Sequence, residues 1–103
     1  MQNKTKNLII KYGQEVIIDD GTNEITSFAF IQPLRKDEQS ALYGDYNNSD
    51  AEQYLYIGIP SNPLDDDGSM VIKSENETYS IIKSESVQLS GKAVYERAVL
   101  EKQ

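Results

Sequence analysis

Residues 54–60, Tyr-Leu-Tyr-Ile-Gly-Ile-Pro, are the stretch of this chain from which its fold can be worked out. The alternation over 54–59 predicts a strand, because successive side chains of a strand point to opposite faces. We expect the aliphatic side chains of this strand to face the core: Leu55, Ile57 and Ile59. The other face carries Tyr54 and Tyr56, which we expect to meet a partner or to form a half-covered surface.

Two shorter patterns of the same kind precede this strand. Glu15 to Ile18 is rich in Val and Ile, Asp20-Gly21 is a turn signal, and Ile25 to Gln32 predicts a second strand. Pro33 closes that strand, since proline cannot donate to the ladder. The second strand is apolar on both faces, with Phe28 and Phe30 on one and Ile25, Ala29 and Ile31 on the other. Such a strand is buried on both sides or lies in a barrel with a covered exterior.

The residues after the central strand predict more β-structure. Pro60, Pro63 and Asp65-Asp66-Asp67-Gly68 form a turn-rich link. Strands are then expected over Ser69 to Lys73 and Thr78 to Leu89, around a turn at residues 75–77. We expect a bulge or bend near residues 83–86, because Lys83 and Glu85 share a parity with apolar residues.

The two ends of the chain are less clear. Residues 5–12 predict a short helix, with Thr5 as its cap and Gly13 as a left-handed C-terminal cap. Leu8 and Tyr12 lie on one face of that helix, although the short run Leu-Ile-Ile also suits a strand. Residues 92–101 fit a helix or a strand paired across the Ser90-Gly91 turn.

These patterns predict one mainly β domain over residues 1–103. It is expected to be an antiparallel barrel or sandwich of about six to seven strands with a short N-terminal helix. A long loop is inserted at residues 36–53, where periodicity disappears, and long loops in compact domains tend to be functional. We take five side chains of this loop as candidates for an interaction or channel site: Leu42, Tyr43, Asp45, Tyr46 and Asp50.

The charge of the chain is unevenly distributed. Residues 37–67 hold eight acids and no base, which are Asp37, Glu38, Asp45, Asp50, Glu52, Asp65, Asp66 and Asp67. The whole chain has 17 acids and 10 bases, so the remaining residues carry nine acids and ten bases, a net charge of +1. The net charge of −7 is therefore concentrated in residues 37–67, which we call the acidic middle, while the rest of the chain is near neutral. Such asymmetry can mark an interaction surface.

The missing residue types argue against most enzymes. The chain has no His and no Cys, which excludes a Ser–His–Asp triad, His–metal sites, thiolate nucleophiles and disulfides. No base, nucleophile and orienting group can be named among the carboxylates. We therefore expect neither an enzyme nor a bound cofactor or metal.

Two binding motifs are weak. The Asp65–Gly68 run lacks two defining ligands of a calcium loop, since Pro63 and Ser74 stand where acids are needed, so a solvated turn is the better interpretation. The tyrosines around residues 43–56 lie in the segment without Lys or Arg, whereas a base-stacking platform needs a basic groove. The start of the chain is polar, and no stretch approaches the roughly 20 apolar residues of a membrane span. We expect a protein that stays inside the cell at first.

Four stretches carry a resemblance to a known group of proteins: Lys11-Tyr12-Gly13-Gln14-Glu15-Val16, Ala29-Phe30-Ile31-Gln32-Pro33-Leu34-Arg35, Tyr54-Leu55-Tyr56-Ile57-Gly58-Ile59-Pro60 and Lys92-Ala93-Val94-Tyr95-Glu96-Arg97-Ala98-Val99-Leu100. Their order resembles the small head–tail joining proteins (head-completion or stopper proteins) of tailed phages and prophages of Gram-positive bacteria. The resemblance covers most of the chain, through short structural motifs. It implies a small β-barrel with a long loop, and it favours a strand over residues 92–100.

The resemblance also implies a role and partners. Such proteins form a homo-oligomeric ring beneath the portal, seal the DNA exit and present a surface to the tail. The expected partners are portal, adaptor and tail proteins, with DNA passing without specific binding and no membrane contact. The expected location is the cytoplasm of the bacterial host and then the virion. A tail-terminator or tail-tube-adjacent role stays open, as does a free-standing acidic module that mimics DNA.

Overall fold

Six strands and one helix make up the regular structure of the described residues, which are 4–34, 53–60, 64–65 and 68–103 of this computed structural model. In chain order the elements are α1 (Lys4–Tyr12), β1 (Gln14–Asp19), β2 (Glu24–Pro33), β3 (Gln53–Gly58), β4 (Val71–Ser74), β5 (Glu77–Leu89) and β6 (Lys92–Lys102). The strands close into a barrel in the order β1-β2-β3-β6-β5-β4, with β4 paired back onto β1. The predicted mainly β, single-domain class is thereby confirmed.

All neighbouring strands of the barrel are antiparallel. The β4–β5 and β5–β6 hairpins have two-residue turns at Glu75-Asn76 and Ser90-Gly91, and all four residues have a positive φ. Turns of this kind match the twist of paired strands, which explains the tight connections. Since β3 lies between β2 and β6, the chain crosses the barrel between β3 and β4.

Every strand contributes to the core inside the barrel. The buried cluster consists of Val16, Ile18, Ala29, Tyr56, Leu64, Ile72, Tyr79, Ile81, Ala98 and Leu100. Leu64 belongs to the crossing between β3 and β4, and its carbonyl oxygen accepts a hydrogen bond from Ser84 Oγ at 3.1 Å. The crossing therefore helps to fill the barrel, at the end where β3 stops.

The predicted orientation of β3 is wrong. Tyr56 is fully buried in the interior cluster and Tyr54 packs against that cluster, whereas Leu55 and Ile57 on the opposite face are partly exposed. The two faces are exchanged because the barrel interior has room for the rings. Tyr56 lies over Gly58, and Tyr54 meets Tyr79 edge to face with ring centroids 5.3 Å apart. The strand itself was predicted within one residue at each end.

The C-terminal residues form a strand, Lys92–Lys102, and this resolves the ambiguity of residues 92–101. The pairing of β6 with β5 has two register shifts: the first has an extra residue in β5, Ile82, and the second has an extra residue in β6, Val94. The predicted bulge near residues 83–86 is confirmed, since the first shift ends at Lys83. The shift at Ile82 changes which side chains of β5 face the interior, so Lys83 and Glu85 avoid burial.

The N-terminal helix forms as predicted, but its termini differ from the prediction. The helix begins at Lys4, so Thr5 lies within the first turn and does not cap it. Gly13 does not have a positive φ. A side chain there would lie 2.5 Å from Ile9 O and 2.9 Å from Ala29 O, so glycine is needed for close approach of the helix to β2.

Helix α1 lies against the outside of the barrel, where it contacts β2, β3 and β6. Its buried residue is Ile9, which is outside the interior cluster. Val99 lies between two interior residues of β6 and is itself buried on the outer face. On β2, Phe28 and Phe30 are half-buried on the outer face while Ala29 is buried inside, which is the covered exterior that the sequence of β2 predicts.

Candidate functional site

The predicted loop starts and ends at one point of the barrel. The backbone N–H of Leu34 donates to the carbonyl oxygen of Gln53 at 2.8 Å, so the residues that flank the segment 35–52 are hydrogen-bonded neighbours. Gln53, predicted as the last loop residue, is instead the first residue of β3 and is buried. The five candidate side chains of the loop lie outside the described residues: Leu42, Tyr43, Asp45, Tyr46 and Asp50.

The predicted tyrosine interface is corrected by the fold. Tyr56 has no exposed surface, so it cannot contact a partner of the folded barrel. Tyr54 is half-buried beside Tyr79, and the ammonium of Lys102 lies 5.7 Å from its ring centroid. Both tyrosines therefore stabilise the barrel, and only Tyr54 keeps any accessible area.

A buried polar group lies inside the barrel near Tyr56. Glu96 is only 2% exposed, and its carboxylate accepts a hydrogen bond from Ser86 Oγ at 2.6 Å. The Tyr56 hydroxyl has no hydrogen-bond partner among the described residues. Burial raises the pKa of the Tyr56 phenol, and the nearby charge of Glu96 raises it further. Because Tyr56 and Glu96 are both buried, we interpret them as structural.

The β1–β2 turn presents a compact acidic surface at the end of the barrel. Asp19 accepts the N–H of Gly21 at 2.8 Å, and Asp20 accepts the N–H groups of Thr22 and Asn23 at 2.8 and 2.7 Å. These bonds hold the pKa of both carboxyls below the usual range, and for Asp19 the ammonium of Lys73 lowers it further. The turn therefore keeps its negative charge down to low pH.

Lys73 joins this turn to the closing strand β4. Its ammonium lies 3.0 Å from Asp19 Oδ2 and 3.2 Å from Glu24 Oε2, and these two carboxylates raise its pKa. Asp19 is on β1, Glu24 is on β2 and Lys73 is on β4, so one cation ties three strands at the seam where the barrel closes. We call the surface formed by Asp19, Asp20 and Glu24 the acidic turn.

Helix α1 carries an exposed face that the sequence analysis did not single out as a site. Leu8 is 52% exposed and Tyr12 is 64% exposed, and the ammonium of Lys11 lies 5.2 Å from the Tyr12 ring centroid. Lys4 is also exposed and precedes Leu8 by one turn of the helix. The spacing of Lys4, Leu8, Lys11 and Tyr12 is the signal that would have found this face, because residues at i, i+4, i+7 and i+8 share one side of a helix.

A shallow groove of about 350 Å³ adjoins this face. It is lined by Tyr12 and Gly13 at the end of the helix, by Gln14, and by Phe30, Gln32 and Ile57 of β2 and β3. Its lining mixes apolar rings with amide side chains and includes no charged group. The groove is therefore suited to contact with a protein surface.

The described part of the chain contains no group of three or more His, Cys, Asp or Glu residues that could hold a metal ion. Of the Asp65–Gly68 run, Asp66 and Asp67 lie outside the described residues. Among the residues described, no helix is long and apolar enough to cross a membrane.

No protein-family model matches the sequence, and no curated protein matches it.

Proposed function

We propose that this chain is a structural component of the head–tail connector of a tailed phage or prophage. It assembles as a homo-oligomeric ring between the portal or adaptor and the tail, where it lines or seals the DNA channel. The sequence resemblance described above is the origin of the proposal. The closed six-strand barrel supports it, because the resemblance implies a small β-barrel.

The observation that carries the proposal is the hydrogen bond between Leu34 and Gln53. It brings together the two ends of an 18-residue segment, residues 35–52, at one point of a barrel that is complete without that segment. A scaffold that supports a separate long segment is the arrangement expected of a protein whose loop meets neighbours or a channel. The same segment carries five acids of the acidic middle: Asp37, Glu38, Asp45, Asp50 and Glu52.

The acidic middle has a physical role under this proposal. A channel that conducts DNA should not bind it, since each contact between a basic side chain and a phosphate would retard passage. Eight acids without a base over residues 37–67 would repel the polyanion. If an assembled ring carried these acids on its outer wall, away from the channel, repulsion of DNA would be excluded as their role.

Copurification with phage particles tests the proposal. An epitope-tagged chain is produced in cells that make the parental phage without their own copy of the gene, and the particles are separated on a density gradient. We expect the tagged chain in the tailed particles, and unjoined heads and tails when it is absent. Normal tailed particles in its absence would exclude the connector function.

A shortened variant isolates the contribution of the segment 35–52. Because Leu34 and Gln53 are already in hydrogen-bonding contact, a short Gly/Ser link can replace residues 37–50 without opening the barrel. We expect this variant to keep the circular dichroism and cooperative unfolding of the full chain but to yield few joined particles. Full particle yield from the variant would mean that the barrel alone performs the function.

The same preparation separates the other candidate roles. A tail terminator would accompany free tails in mutants that lack heads, whereas a connector would accompany DNA-filled heads in mutants that lack tails. A free-standing DNA mimic would be absent from both and would bind a basic protein tightly, with strong dependence on salt.

A further inference from the structure

We propose that the exposed face of helix α1 docks on the acidic turn of a second copy of this chain, so that the copies associate head to tail. This inference rests on the proposed function, because it names the surfaces through which the ring would form. The docking face consists of Lys4, Leu8, Lys11 and Tyr12, and the acidic turn consists of Asp19, Asp20 and Glu24.

Helix α1 is basic, whereas the chain as a whole is acidic. Helix α1 contains Lys4, Lys6 and Lys11 and no acid, so its formal charge is +3. Since the whole chain carries −7, the rest of the chain carries −7 − 3 = −10. The helix is thus a basic, partly apolar patch on an acidic protein, and a second copy offers it a complementary charge.

Three bases of the barrel wall differ in their surroundings from the exposed lysines of the docking face. Lys73 lies against Asp19 and Glu24, Arg97 against Glu85, and Lys102 is 3.7 Å from Glu77. These cations are balanced by carboxylates of their own chain. The exposed lysines of the docking face instead flank apolar side chains, and Lys11 lies beside the ring of Tyr12. A face of this composition is typical of a protein contact, where an apolar centre is surrounded by charge.

The docking face and the acidic turn lie far apart within one chain. Tyr12 precedes the start of β1 and Asp20 follows its end, so the six residues of β1 place them about 20 Å apart. Helix α1 also contacts β3, which pairs with Ala29–Pro33, the half of β2 farther from the acidic turn. The helix therefore cannot reach the acidic turn of its own barrel.

A contact between the docking face and the acidic turn determines the kind of assembly that forms. A contact between two different surfaces of identical chains is heterologous, and it generates a closed ring when the rotation between copies closes. The acidic turn still has net negative charge after pairing with Lys73, since it has three carboxylates and the one ammonium pairs with two of them, Asp19 and Glu24. The few exposed side chains involved make each contact weak, and repetition around a ring on a portal surface strengthens it.

Cross-linking of the free chain tests this contact directly. The chain has no cysteine, so an introduced pair is unique. Asn7→Cys lies beside the docking face, and Thr22→Cys lies in the acidic turn; both positions are exposed. At millimolar protein concentration in about 10 mM salt, where charges act over about 30 Å, we expect a short bis-maleimide to give a ladder of dimers, trimers and higher species.

The control pair keeps Asn7→Cys and moves the second cysteine to Gln88, an exposed residue near the tip of the β5–β6 hairpin. We expect no ladder from this pair. A single cysteine at either position of the test pair can link copies only into dimers. A ladder equally strong with the control pair, or no ladder with the test pair, would overturn the proposal.

Charge exchange then tests the chemistry of the contact. Lys4→Glu with Lys11→Glu should reduce the ladder at least about tenfold, as should about 1 M salt, where the screening length is about 3 Å. Adding Asn23→Lys and Glu24→Lys to the same chain should restore it, because both surfaces are then reversed. Failure of restoration, with the variants folded by circular dichroism, contradicts the charge pairing.

Binding to a short DNA duplex or to anionic vesicles is measured in parallel. If the helix face bound either of these in place of a second copy, the proposal would be overturned. The cross-linking result is independent of the copurification experiment. A ladder without incorporation into particles would exclude the connector function and support the self-association. Incorporation without a ladder would support the connector function and exclude the self-association.

Discussion

Gly58 packs directly against the ring of Tyr56 on the inner face of the barrel. A side chain at Gly58 would lie 2.5 Å from both Cε1 and Oη of Tyr56, closer than real contacts allow. Tyr56 has no exposed surface, so its ring cannot turn outward without leaving the core. The absent side chain of Gly58 therefore provides the space that keeps the ring inside.

Gly58→Ala is expected to destabilise the chain by about 1–3 kcal/mol, because the methyl group would force the ring or the strand to shift. Urea unfolding measures the loss of the free energy of unfolding. The matched control is the same substitution in a Tyr56→Ala background, where the methyl group has room. A similar loss in both backgrounds would contradict the close packing of these two residues.

The hydroxyl of Tyr56 gives a second prediction. It is buried without a hydrogen-bond partner among the described residues, so its desolvation is not offset by a bond. We expect Tyr56→Phe to leave the free energy of unfolding unchanged or to raise it by about 1 kcal/mol. A loss of more than about 1 kcal/mol in urea unfolding would show that the hydroxyl is bonded in solution.

The orientation of these tyrosines could not be predicted from the strand alone. Alternation shows that residues 54–59 have two faces, and an aliphatic face usually lies inside. Here both faces are partly covered, because helix α1 lies outside the barrel over β3. The choice depends on Gly58, Tyr79 and the space inside the barrel, which are contacts from distant parts of the chain.

The seam between β1 and β4 closes the barrel with the shortest strand. β4 has four residues and pairs with only three residues of β1. Side chains supplement this ladder: Ser74 Oγ donates to the carbonyl oxygen of Glu15 at 2.7 Å and accepts from Gln14 Nε2 at 2.8 Å. Lys73 adds ionic contacts to Asp19 and Glu24 on the other face of the strand.

Ser74→Ala is expected to cost about 1–2 kcal/mol, because it removes two hydrogen bonds at a buried site. Amide hydrogen exchange should also become faster in β1 and β4 than in the longer β5–β6 hairpin. The control is Ser80→Ala, whose hydroxyl accepts only an exposed bond from Gln103, and its expected cost is below about 0.5 kcal/mol. Equal costs for the two variants would argue against a special role of the seam.

The acidic turn predicts how stability depends on pH. The pKa values of Asp19 and Asp20 are lower in the folded chain than in the unfolded chain, where an aspartate titrates near pH 4. Their stabilisation is therefore complete above about pH 5 and is lost as the pH falls below about 4. We expect the melting temperature to fall in that range, and Asp20→Asn to reduce the fall.

Asparagine keeps an oxygen that accepts the N–H groups of Thr22 and Asn23, so this variant should melt near the wild-type temperature at pH 7. Calorimetry at a series of pH values makes the comparison. An acid limb as steep as that of the wild type would mean that Asp20 does not contribute to it.

Most elements were predictable because their signals are local. The β1–β2 turn at Asp20-Gly21 follows from residue types that favour it, and the turns at residues 75–77 and 90–91 contain Asn76 and Gly91, which tolerate a positive φ. The conformation of residues 92–101 could not be predicted from the local sequence, because both a helix and a strand suit it. Pairing with β3 and β5 determines the strand. The spacing of Lys4, Leu8, Lys11 and Tyr12 places them on one side of α1, and the packed structure adds that this side is exposed.

The whole molecule combines a complete barrel with charge that is distributed by region. The barrel has a basic helix on its outer wall and an acidic turn at the end of β1, and an 18-residue acidic segment connects β2 to β3. In the head-to-tail arrangement proposed above, the basic helix of one copy meets the acidic turn of the next. The negative charge of residues 37–67 is then free to face a channel or a neighbouring protein.

Electron cryomicroscopy of particles that contain the tagged chain tests most directly whether the chain forms a ring at the head–tail junction. We predict a ring of six-strand barrels between the portal vertex and the tail, with helix α1 of each copy against the acidic turn of the next. Residues 35–52 should then project toward the channel axis or a neighbouring protein. Intact particles without such a ring at the head–tail junction would contradict the connector function.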